Sequence, residues 1–167
     1  MILLNNIYLI GMPGCGKSTL ACLLSKKIKI EFLELDRIIE EREGRTIPDI
    51  FKDGEAVFRK AETDALRAIA ETEGVVVSTG GGIVTIEENI NIMKSTGKVV
   101  FIDASPEFIL SNSSLEGRPL LADKNKIYDL YRNRIALYRK AADVTVQNDG
   151  ILSDVCNKLE SVIRKMR

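Results

Sequence analysis

Eight residues carry the most explicit chemistry in this chain: Gly11 to Ser18, GMPGCGKS, fits the spacing G-x-x-x-x-G-K-[ST] at every fixed position. That spacing belongs to loops that cradle phosphate. Gly11, Gly14 and Gly16 accept backbone dihedrals that a Cβ would penalise, so successive N–H groups can turn toward phosphate oxygens. A helix following the loop aims its positive N-terminus at the same anion. Lys17 offers an ammonium to the β- and γ-phosphates, and the Ser18 hydroxyl is a hard oxygen suited to Mg²⁺. Gly14, Cys15, Gly16, Lys17, Ser18 and Thr19 are therefore the candidate nucleotide-binding residues, with Ser18 the candidate metal ligand. The loop leaves the destination of the phosphate open: water, a protein or a small molecule.

Three further features could supply that destination. Asp36 follows a strand-like run, FLEL, and in open α/β sheets ligands bind beyond the carboxyl ends of the strands. There it could orient an acceptor hydroxyl and take its proton, or it could simply cap the next helix. Gly80, Gly81 and Gly82 follow another strand and could expose several N–H groups as a second anion nest. Arg59, Arg118 and Arg139 could bind an anionic group on the acceptor, bidentately if it is a carboxylate, although each alone reads as a solvated charge.

Composition removes competing chemistries. The 167 residues contain no histidine, which excludes a histidine general base, Ser-His-Asp or Cys-His nucleophiles and H-E-x-x-H zinc sites. Proton transfer must fall to carboxylates or lysine. Lys+Arg and Asp+Glu are equal at 24 each, so no general attraction to nucleic acid or anionic membrane is expected. Cys15, Cys22 and Cys156 form no C-x-x-C pair and read as reduced thiols. With neither a membrane-length apolar run nor a signal-peptide pattern, the expectation is a soluble, cytoplasmic protein.

The elements that must position these residues alternate between short β-rich and longer helical runs, which predicts a five-stranded parallel sheet with helices on both faces in one domain, 1–167. Predicted strands are Asn6–Ile10, Phe32–Leu35, Val75–Val77, Lys98–Ile102 and Val144–Gln147. Predicted helices include Thr19–Lys29 and Asp53–Thr72, the latter with Val57, Ala61, Ala65, Leu66 and Ile69 on its apolar side. Thr85–Ser95, Ile127–Ala141 and Leu152–Lys165 are also helical, and Ser105 and Pro106 open another. Residues 111–126 lack periodicity and read as a functional lid containing Arg118.

Taken in order along the chain, these motifs resemble the shikimate kinase family. Beside the phosphate loop they comprise LELD ending at Asp36, G-E-x-x-F-R (Gly54, Glu55, Phe58, Arg59) and T-G-G-G (Thr79 to Gly82). They continue with S-P-E (Ser105 to Glu107), R-P-L-L (Arg118 to Leu121) and Y-R (Tyr138, Arg139). The resemblance implies a fold like that of nucleoside monophosphate kinases. It also implies transfer of the ATP γ-phosphate to the 3-hydroxyl of shikimate, with Mg²⁺ at Ser18, in a monomer. By motif, Asp36 would hold the shikimate hydroxyls, Arg59, Arg139 and the Gly80–Gly82 loop its carboxylate, and Lys17 with Arg118 the transferring phosphoryl group.

Two positions depart from the family pattern. Glu34 stands where many members carry an aspartate associated with Mg²⁺, and Ser111 stands where an arginine often packs on adenine. A gluconate-type kinase shares the expected fold, but T-G-G-G and R-P-L-L argue against it. A nucleotide-dependent switch would need no acceptor residues, so Asp36, Arg59 and Arg139 together argue against that reading.

Overall fold

The computed structural model describes residues 5–112 and 123–166. Five strands, β1 (Asn6–Ile10), β2 (Glu31–Glu34), β3 (Val75–Ser78), β4 (Gly97–Asp103) and β5 (Val144–Gln147), form one parallel sheet in the order β2-β3-β1-β4-β5. Burial follows that order. The three inner strands are apolar runs covered on both faces, whereas edge strands β2 and β5 keep exposed polar positions such as Glu31, Glu34 and Gln147.

Helices connect the strands: α1 (Lys17–Ile28), α2 (Leu35–Glu43), α3 (Ile47–Lys52), α4 (Glu55–Ala70), α5 (Glu87–Thr96), α6 (Pro106–Asn112), α7 (Lys124–Ala141) and α8 (Leu152–Lys165). Local chemistry sets several of their ends. The Thr46 side chain accepts from the Asp49 N–H to open α3, and the Ser105 hydroxyl accepts from the Phe108 N–H to open α6. Gly44 ends α2 in the left-handed conformation at φ 67°.

Four local expectations change. The second strand ends at Glu34, and Asp36 lies inside the first turn of α2 rather than capping it. On α4 the buried aromatic is Phe58, while Val57 is exposed, because burial of Ala61, Ala65, Leu66 and Ile69 sets a helical phase that turns Val57 outward. The residues after Gly82 form a 3₁₀ turn, Ile83–Thr85, ahead of α5. Both ends of the expected 111–126 lid are helical, since α6 runs to Asn112 and α7 starts at Lys124. The remainder of that segment, with Arg118, lies outside the described residues. Among the described residues no helix is long and apolar enough to cross a membrane.

Candidate active site

The phosphate loop leaves the central strand β1 and runs into α1. The two fixed glycines of the motif, Gly11 (φ 152°) and Gly16 (φ 97°), and Gly14 between them (φ 78°) all have positive φ. Two neighbours fix the loop from outside. The Asn148 amide just past β5 donates to the Cys15 carbonyl at 2.7 Å, and a Cβ on Gly16 would meet that amide nitrogen at 2.8 Å. Cys15 is wholly buried and acts as a small packing residue, while Thr19 is exposed. Lys17 is also buried, and its Nζ donates to the Gly11 and Met12 carbonyls at 2.8 Å each, which fixes the side chain inside the loop.

Beside the loop, the Ser18 hydroxyl donates to Glu34 Oε1 at 2.8 Å and lies 3.0 Å from Ser78 Oγ. These oxygens come from α1, β2 and β3, and they are hard donors of the kind Mg²⁺ takes. Among the described residues no group of three or more His, Cys, Asp or Glu could hold a metal alone. A magnesium ion here would depend on phosphate oxygens for its remaining ligands.

The glycine loop occupies the centre of the second half of the site. None of its three residues has a positive φ, so the reason for three glycines is close approach rather than dihedral freedom. A Cβ on Gly80 would stand 3.0 Å from Glu62 Oε2 and 3.3 Å from Asp36 Oδ1. A Cβ on Gly81 would press on Pro13 of the phosphate loop at 2.7 Å, and one on Gly82 would strike the Arg59 guanidinium. Each glycine thus admits a different neighbour.

Asp36, Glu62 and Arg59 crowd this loop, and Arg134 acts electrostatically on Glu62 and Tyr138. Arg59 Nη1 donates to Glu62 Oε1 at 2.9 Å, with the arginine side chain 14% exposed and the glutamate 0%. Burial pushes the Glu62 carboxyl up and Arg59 pulls it down, with Asp36 adding to the rise and Arg134 opposing it. Asp36 is likewise pushed up, chiefly by burial, against the attraction of Lys17. Arg59 also lies over the Phe58 ring, 5.2 Å from its centroid. Tyr138 of α7, fully buried, donates to the Gly81 carbonyl at 2.5 Å. Burial drives its hydroxyl well above the ordinary phenol range, and Arg134 beside it pulls the other way.

Arg139 is not brought to this cluster. It is exposed on α7. Adjacent helical residues diverge by about 100°, whereas residues four apart share a face. Buried Tyr138 therefore carries Arg134 inward and leaves Arg139 outside. Glu62, Arg134, Ser78 and Asn148 adjoin the predicted residues and were not singled out from sequence. Helical spacing to Arg59 could have found Glu62, and spacing to Tyr138 could have found Arg134.

Comparison with known proteins bears on the family and the fold. The family model described as shikimate kinase matches residues 13–164. A shikimate kinase of Clostridium botulinum (strain Alaska E43 / Type E3) is 41% identical over 160 residues, covering 95% of this chain and 97% of that protein. One of Aquifex aeolicus (strain VF5) is 44% identical over 156 residues, 92% of each chain. Among solved structures, a shikimate kinase from Acinetobacter baumannii in complex with shikimate superposes with a TM-score of 0.90 at 36% identity, covering 98% of this chain and 95% of that one.

Proposed function

Because this chain belongs to the shikimate kinase family, we propose that it transfers the γ-phosphate of ATP to the 3-hydroxyl of shikimate with its acceptor held on the Gly80–Gly82 loop. The observation that carries the reading is the contact set of that loop. A side chain at any of the three would run into Glu62 and Asp36, Pro13 of the phosphate loop, or Arg59, so donor and acceptor residues share one crevice.

The phosphate loop and Lys17 hold the nucleotide, and Lys17 neutralises charge that develops on the transferring group. Ser18, with Glu34 and Ser78 around it, would hold Mg²⁺. When bound, that ion offsets the charge of the β- and γ-phosphates. Asp36 accepts the proton of the attacking hydroxyl, a task favoured by a carboxyl that burial has made more basic. Arg59 and Arg134 bind the acceptor carboxylate, and the Gly81 and Gly82 N–H groups complete its cradle. Glu62 holds the Arg59 guanidinium in place.

Arg134, rather than Arg139, is the second arginine of this reading, and paired variants test it. Arg134→Gln is expected to raise the shikimate KM about tenfold or more, the equivalent of one charge-assisted contact, with ATP KM nearly unchanged. Arg139→Gln should leave both within about twofold. A raised shikimate KM in Arg139→Gln with none in Arg134→Gln would reverse the assignment.

A further inference from the structure

The Tyr138 hydroxyl lies in a place that no part of the reaction above explains. Its ring is fully buried and stacked on Phe101 of β4, with centroids 5.0 Å apart and planes 20° apart. Phe101 pairs in register with Ile10, the last residue of β1 before the phosphate loop. The hydroxyl is thus carried on the rigid centre of the sheet, and it donates to the Gly81 carbonyl at 2.5 Å. On its other side Gly81 packs against Pro13, so this one residue is gripped by α7 and by the phosphate loop. Three consecutive glycines have more backbone freedom than any other tripeptide, and a single strong acceptor bond removes much of it.

A peptide unit is planar and trans, so the Gly81 carbonyl and the Gly82 N–H point in opposite directions from one plane. Holding the carbonyl toward Tyr138 aims the Gly82 N–H away from it, on the residue whose Cα lies against the Arg59 guanidinium. Among the described residues neither the Gly81 nor the Gly82 N–H donates to another group. We propose that Tyr138 is a positioning residue for the acceptor: its bond to Gly81 O sets the Gly81–Gly82 peptide plane so that the Gly82 N–H meets the acceptor anion beside Arg59. This role rests on the reading of the Gly80–Gly82 loop as the acceptor cradle.

Tyr138→Phe removes one oxygen and keeps the stacked ring. The expected result is a shikimate KM raised about fivefold to tenfold, the loss of one hydrogen-bonded contact, with ATP KM and kcat within about twofold. A core variant on the same strand, Val100→Ala, serves as the stability control. It is buried beside Phe101 and should lower Tm by cavity formation while leaving the shikimate KM within about twofold. Arg134→Gln is measured in parallel. An unchanged shikimate KM in Tyr138→Phe beside a raised one in Arg134→Gln overturns the positioning role alone. Unchanged values in both overturn this role, and unchanged values in Arg59→Ala and Arg139→Gln as well overturn the acceptor-cradle reading with it. Equal rises in shikimate and ATP KM for Tyr138→Phe, matched by Val100→Ala, also overturn it, because they report general loosening.

Discussion

Asp36→Asn is expected to lose about 10²- to 10⁴-fold in kcat, the usual contribution of a positioned general base, while the protein gains thermal stability at neutral pH. The stability gain follows from the direction of the Asp36 shift. Burial raises its folded-state pKa above the unfolded value, outweighing Lys17. A raised carboxyl adds full stability below its unfolded pKa, and that stability disappears as pH rises through the folded one. At pH 7 the ionised side chain therefore opposes folding, and Asn removes the charge while keeping the shape. Lys17 retains its bonds to the Gly11 and Met12 carbonyls. Tm of the variant should exceed wild type at pH 7, and the difference should shrink below the ordinary carboxylate range. Retained kcat would reduce Asp36 to a structural residue. A lower Tm at pH 7 would mean that Lys17, not burial, dominates its energetics.

Arg59→Ala should harm both stability and acceptor binding. Glu62 is fully enclosed and Arg59 is its hydrogen-bonded counter-charge, so deleting the guanidinium leaves a buried carboxylate alone. Breaking such a pair costs about 3–5 kcal/mol. The same deletion removes a charge-assisted contact to shikimate, worth about 1.5–3 kcal/mol, or roughly tenfold to a hundredfold in KM. The two losses separate in the double variant Arg59→Ala/Glu62→Gln. Neutralising Glu62 should restore much of the Tm and none of the shikimate affinity. Recovery of both together would show that Arg59 matters only as the partner of Glu62.

The phosphate loop was legible because each fixed position answers a local demand, and Gly11 and Gly16 both take the positive φ that glycine permits. The sheet was legible for a similar reason: NIYLI and VVV are apolar without interruption and suit strands covered on both faces. Asp36 fell near the correct strand end, but its place in the first turn of α2 depended on β2 stopping one residue early.

What escaped the sequence were relations between distant segments. The triple glycine reads as an anion nest of exposed N–H groups, yet its residues are small because Glu62, Asp36, Pro13 and Arg59 crowd them from three other elements. Glu62 carries no motif of its own, and its place in the site comes from full burial and its bond to Arg59. Arg139 stands beside Tyr138 in sequence, but helical phase separates adjacent side chains and favours Arg134. Reading that phase required knowing that Tyr138 points inward.

The central claim is that this crevice accepts shikimate and no other common kinase acceptor. It is tested most directly by ADP release from the intact protein at saturating ATP and Mg²⁺, with shikimate, quinate, gluconate and nucleoside monophosphates supplied in turn. Shikimate alone should raise the rate far above background ATP hydrolysis. No stimulation by shikimate, or equal stimulation by gluconate, would contradict the account.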